Sequence, residues 1–212
     1  LNDWSIKQIN SFTYAFGGWG DIPDCTLTLK NWGVNNSGSG ILNMSSTFRG
    51  QTAYIVDTTG WAPEMTQNCT SWSHMAYGST RWTEWKGLSD ISLNSVTTTL
   101  NAFYTCNNIQ FKSGGSNFSD NCATSGSLTN TQAMFGYVGY GLTSATLPGT
   151  EAPNVKYWNM SNCTNMSSMF FGHRGSDEMP DVDLWDLSSL TTINNFAYVA
   201  GLINYTKPWY ID

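Results

Sequence analysis

Two histidines, five cysteines and one acidic run are the residues whose types bear on chemistry. A nucleophile needs a base within hydrogen-bond reach, and the base needs a third group to orient it. Neither His74 nor His173 has a Cys or Ser at a spacing known for such a pair, so no catalytic residue is expected. Cys25, Cys69, Cys106, Cys122 and Cys163 form neither a CxxC pair nor a Cys/His zinc pattern, which argues against a metal site. Cys106 and Cys122 flank the Gly/Ser/Asn-rich stretch "NNIQFKSGGSNFSDN", which a disulfide between them would close in an oxidising compartment. The odd total leaves a thiol free or bound to another chain.

The acidic run "GSDEMPDVDLWD" gathers Asp177, Glu178, Asp181, Asp183 and Asp186. Paired carboxylates suit glycoside chemistry, and several oxygens suit a loop calcium ion. Few catalytic partners stand nearby and the spacing is not that of an EF-hand, so a solvated acidic loop is the favoured reading. No cofactor is expected.

The elements that must position these residues repeat. The phrase "CTNMSSMF" from Cys163 has counterparts in "INSFTYAF" from Ile9, "ILNMSSTF" from Ile41, "CTSWSHMA" from Cys69, "VTTTLNAF" from Val96, "LTNTQAMF" from Leu128 and "LTTINNFA" from Leu190. Start-to-start spacings of 32, 28, 27, 32, 35 and 27 residues fall in the range of stacked repeats. The first, fourth, seventh and eighth places are mostly apolar, and the eighth holds Phe16, Phe48, Phe103, Phe135 and Phe170, with Ala76 and Ala197 as exceptions. Those places share one helical face, so each copy is expected to be a short helical turn over a core. Trp4, Trp158, Trp185 and Ile91 stand five residues before a frame, in alternating segments that read as short strands. The expected fold is one α/β repeat solenoid over residues 1–212. It comprises about seven strand-plus-short-helix units, with long inserts at 17–40, 104–122 and 137–157, each unit burying its apolar side on its neighbours. Truncating a frame phenylalanine should cost about 3–5 kcal/mol.

"WNMSNCTNMSSMFFG" (158–172) and "WDLSSLTTINNFA" (185–197) resemble the BspA-like leucine-rich-repeat proteins, a bacterial surface-protein repeat reading roughly W-D-x-S-x-V-T-N-M-S-x-M-F. The resemblance runs from Trp4 to Trp209 and weakens in the middle frames. It implies a right-handed parallel stack on secreted, cell-surface or phage proteins, usually without enzymatic activity.

Composition agrees with an exterior setting. Only 11% of residues are charged while 14% are aromatic, so the solvent face must be built from Ser, Thr, Asn and Gly. With a net charge of −6 and nine Lys plus Arg there is no basic stripe, and nucleic acid is not an expected partner. No run of 18 apolar residues occurs, so membrane insertion is not expected either. The chain opens on Leu1 without an initiator Met or a signal-peptide plan, as a processed chain or a fragment would.

Aromatics in the inserts carry the expected recognition. Trp82 and Trp85 beside Arg81 and Lys86, with Tyr137 and Tyr140, suit sugar rings or another protein's apolar patch. Folding back over an edge of the stack is the alternative for these side chains. Trp4 and Trp209 would lie at the two open edges, where head-to-tail contact between copies propagates into a filament. Asn35, Asn117 and Asn204 are the loop-like glycosylation sequons. The expectation is a non-enzymatic extracellular structural or adhesive protein of a cell or virion surface. Its partners would be proteins, including copies of itself, or glycans. The alternative is a carbohydrate-binding or host-attachment module.

Overall fold

The computed structural model describes residues 10–18, 25–30, 40–61, 66–141, 151–174 and 180–198. The seven frames stack in parallel. Their third residues pair in sequence, Ser11 with Asn43, then Ser71, Thr98, Asn130, Asn165 and Thr192. A side of the stack carries one open, parallel sheet: β1 (Thr26–Thr28), β2 (Ile55–Asp57) and β3 (Glu84–Lys86), in register Thr26 to Ile55 to Glu84.

The expected α/β repeat with a short helix in every unit is overturned. Among the described residues the elements are these three strands and one 3-10 turn, Leu88–Asp90. The reason lies at the sixth place of the frame. Tyr14, Ser46, His74, Asn101, Ala133, Ser168 and Asn195 all have φ between 51° and 58°, in the left-handed region that a right-handed helix excludes. Hydrogen bonding explains why non-glycine residues accept it. In the second frame the amides of Met44, Ser46, Phe48 and Gly50 donate to the carbonyls of Ser71, Ser73, Met75 and Tyr77 one rung on, at 3.0, 2.9, 2.8 and 2.8 Å. The intervening Thr47, Arg49 and Gln51 amides turn inward to Met44, Ser46 and Phe48. Alternate N–H groups thus point along the stack. Four inter-rung bonds at about 1 kcal/mol net each outweigh a left-handed residue at about 1–2 kcal/mol.

Side chains lock this path. The third residue accepts from the amide two places on, as Asn43 Oδ1 does from Ser45 at 2.8 Å and Asn165 Oδ1 from Ser167 at 3.0 Å. Thr97, Thr129, Thr164 and Thr191, at the second place, donate both amide and hydroxyl to the preceding rung's carbonyl. The polar letters of the repeat are therefore backbone partners as well as surface.

The strands expected ahead of the frames at Ile91, Trp158 and Trp185 do not form; the strands follow the frames, and β1 lies inside the 17–40 insert. The inserts also feed the core. Phe111 and Phe118 are buried, and Phe111 bridges antiparallel to Glu151.

Burial follows the columns read from the sequence. Ile41, Cys69, Val96, Leu128 and Cys163 are buried at the first place and Met44, Trp72 and Met166 at the fourth. Phe16 stacks on Phe48 at 5.6 Å, Phe103 on Phe135 at 5.6 Å and Phe135 on Phe170 at 5.4 Å. Ala76 interrupts this ladder, and Trp85 closes the gap, 5.5 Å from Phe48 and 5.9 Å from Phe103.

Candidate functional site

Trp82 and Trp85 are fully buried, which removes them from the expected ligand surface. The short β3 strand directs Trp85 inward, where its indole N–H donates to Thr58 Oγ1 at 2.9 Å and its ring stacks on Trp72. The shape of the core decides this, because Ala76 leaves a ring-sized vacancy that an indole fills.

Tyr137 and Tyr140 belong to a different feature, a second aromatic row on the surface. One side chain per rung contributes. Arg49 Nη1 donates to the Tyr14 hydroxyl at 2.8 Å, and its guanidinium lies 5.0 Å from the Tyr77 ring centre. Tyr77 stacks on Tyr104 at 5.6 Å, Tyr104 meets Tyr137 edge-on at 5.6 Å, Tyr137 meets Phe171 at 5.2 Å, and Phe171 stacks on Tyr198 at 5.9 Å. Tyr140 flanks the row, 45% exposed, with the Arg174 guanidinium 4.5 Å from its ring centre. Tyr14 and Tyr198 are exposed and the middle rings half-buried.

Glycines let the rings lie against the backbone. A Cβ on Gly136 would sit 2.7 Å from Tyr104 Cδ2, and one on Gly172 2.8 Å from Tyr137 Cδ1. Arg49, Tyr77, Tyr104, Phe171 and Tyr198 occupy the ninth place, one beyond the eight-residue frame. The sequence reading missed them for that reason, and extending the frame by one column finds them. Beside the row runs a groove of about 440 Å³, lined by Tyr77, Tyr104 and Phe171 on one side and by Asn101, Ala133, Ser168 and Asn195 from the left-handed sixth place, with Gln132. Half-exposed ring faces next to amides offer stacking surface and directed hydrogen bonds together.

The other candidates fall elsewhere. His74 is half-buried, 3.3 Å from the Asn101 amide nitrogen, and burial together with the Arg49 charge holds its pKa below the usual range. His173 is buried against Phe170, with no hydrogen-bond partner for either ring nitrogen among the described residues, and burial pushes its pKa down to about 4. It is a neutral core ring. All five cysteines are free, so the disulfide expected between Cys106 and Cys122 is not formed. Both are buried, Cys106 Sγ donating to the Ala76 carbonyl at 3.1 Å. Burial raises the Cys69 and Cys122 thiols to about 11 and 12 and moves Cys106 in the same direction.

Asn117 is 7% exposed and donates to the Ala152 carbonyl while accepting from the Phe118 and Asn154 amides. Its amide is consumed in the fold, which corrects the expectation of an accessible sequon. In the acidic run, Asp181 pairs with Lys156 at 2.9 Å and accepts from the Asp183 amide, and Asp186 accepts from the Ser188 amide. No group of three metal-ligating side chains occurs among the described residues. Trp4, Trp209, Asn35, Asn204, Asp177 and Glu178 lie outside the described residues. No helix among the described residues is long and apolar enough to cross a membrane.

No curated protein and no solved structure matches the chain. Residues 1–118 and 144–208 match the family described as "Mycoplasma protein of unknown function, DUF285", and the chain belongs to that family.

Proposed function

We propose that this is a non-enzymatic structural and adhesive protein of a cell or virion exterior, making contact through the surface aromatic row. The observation that carries the reading is the row itself: seven consecutive rungs each place an aromatic ring or an arginine in one line. The core already has its own ladder of phenylalanines, so a second line of rings outside it is surplus to packing. Aromatic rings and arginine are the side chains most enriched where proteins bind one another. The resemblance of "WNMSNCTNMSSMFFG" to BspA-like surface repeats and the low charge of the whole chain support the exterior setting.

The test is retention. Beads coated with the whole chain are presented to epithelial cells and to immobilised matrix glycoproteins, against beads carrying Tyr104→Ala/Phe171→Ala. Retention that drops with the double variant supports the reading; equal retention by both, or by uncoated beads, refutes it.

End-to-end assembly is a second reading with its own support. Leu190, Ile193, Phe196 and Ala197 in the seventh rung are only partly buried, whereas the same columns are buried in the second to sixth rungs. A copy stacked there would cover them. Light scattering across a hundredfold range of concentration should show growth of a linear species, and a constant monomer mass would end this reading.

A further inference from the structure

We propose that the groove beside the aromatic row binds a linear, uncharged polysaccharide lying along the stack; this rests on the row being the contact surface. Length is the first argument. The lining runs from Tyr77 in the third rung to Asn195 in the seventh, four rung spacings or about 20 Å at about 4.8 Å each. Spread over that length, about 440 Å³ makes the groove long and shallow, a shape that suits an extended chain better than a compact ligand.

Charge is the second. Every lining residue is uncharged. Arg49 is engaged with Tyr14 and Tyr77, and Arg174 with Tyr140. An acidic polymer would meet uncharged rings and amides over most of its length, with little to repay its desolvation.

Hydrogen bonding is the third, and it separates a glycan from a peptide added as a strand. Such a peptide uses unpaired main-chain groups as its template. Here the amides of Asn101, Ala133 and Ser168 are already given to the Gln132, Ser167 and Asn194 carbonyls. What the groove offers instead is side-chain chemistry. The Ser168 hydroxyl and the Asn195 amide have no partner among the described residues, and the Asn101 amide is held at 3.3 Å from His74. Sugar hydroxyls match such amides, and the C–H groups of pyranose rings match the apolar ring surface of Tyr77, Tyr104 and Phe171 that their mutual stacking leaves open. The left-handed backbone at the sixth place is what turns Asn101, Ser168 and Asn195 toward the rings, so one feature of the fold builds both walls.

The test is calorimetric titration of the whole chain with cellohexaose, chitohexaose, xylohexaose and laminarihexaose, and with a galacturonate hexamer as the anionic probe. One neutral series is expected to bind, more tightly as the chain lengthens from three to six sugars, with little response to salt. Tyr104→Ala should weaken it about tenfold. Asn101→Gly/Asn195→Gly keeps the left-handed backbone and the thermal midpoint while lowering affinity by a similar factor. Tyr157→Ala, outside the groove, should leave binding unchanged. The inference is overturned if no neutral hexasaccharide binds at millimolar concentration, if only the galacturonate binds, or if the groove variants bind as the parent does. Coated beads still retained through Tyr104 and Phe171 while every hexasaccharide fails would leave the row a protein-contact surface and remove the glycan alone.

Discussion

Trp85 supplies the sharpest test of how this core is assembled. Its ring substitutes for the phenylalanine that the third frame lacks, touching Phe48, Trp72, Trp82 and Phe103 with centroids 5.3–5.9 Å away and no exposed surface. Trp85→Ala should cost about 3–5 kcal/mol, since the surrounding rings belong to different rungs and cannot collapse onto the void together. The lost indole hydrogen bond adds little, because Thr58 Oγ1 also donates to the Lys86 carbonyl at 3.1 Å. Ala76→Phe alone should cost about 1–3 kcal/mol by overpacking against the indole. In the double variant the new ring enters the space the indole left, so the two changes should compensate by about 1–3 kcal/mol in a double-mutant cycle. Urea unfolding of the four proteins, followed by far-ultraviolet circular dichroism, measures this. A double variant as unstable as the sum of the singles would refute the idea that Ala76 and Trp85 share one vacancy.

Gly87 (φ 83°) and Gly50 (φ 65°) are both left-handed, but a Cβ on Gly87 would sit 2.6 Å from the Thr59 amide nitrogen while one on Gly50 meets nothing nearer than 3.7 Å. Gly50→Ala should therefore cost about 1 kcal/mol and Gly87→Ala at least twice that, read from urea midpoints. His173 titrates at about 4 in the folded protein against 6.5 in the unfolded chain, so the unfolded chain takes up the proton first. Stability is full above pH 6.5, declines as pH falls, and is lower by about 3 kcal/mol at pH 4; His173→Phe should remove most of that slope. A thiol reagent should label half-buried Cys25 in the native chain and all five cysteines in denaturant without reductant, whereas a denatured count of three would restore a disulfide.

Much of the core is legible in the sequence. The columns headed by Ile41, Met44 and Phe48 are buried as their types and spacing required, and Phe103, Phe135 and Phe170 stack in rung order. The helical reading of the same columns failed because places one, four, seven and eight share an inward face in two different backbones. One is a helix; the other is a chain of tight turns with a left-handed residue at the sixth place. Serine, histidine, asparagine and alanine at that place give no common signal, since the inter-rung hydrogen bonds, and not the side chain, hold φ positive. The candidate site was only partly visible. Tyr137 and Tyr140 were singled out as surface aromatics, whereas Tyr77, Tyr104 and Phe171 were passed over as neighbours of the frame.

By itself the sequence determined the period, the inward columns and the scarcity of charge, because hydrophobic burial depends on residue type and spacing and both are written along the chain. Only the tertiary structure decided which aromatics went inside. Trp85 fills a vacancy that exists once Phe48, Ala76 and Phe103 lie above one another, and Tyr104 keeps its place in the surface row because Gly136, one rung on, leaves room for its ring. Both outcomes depend on residues about 30 positions apart meeting across rungs, and no local pattern records that contact.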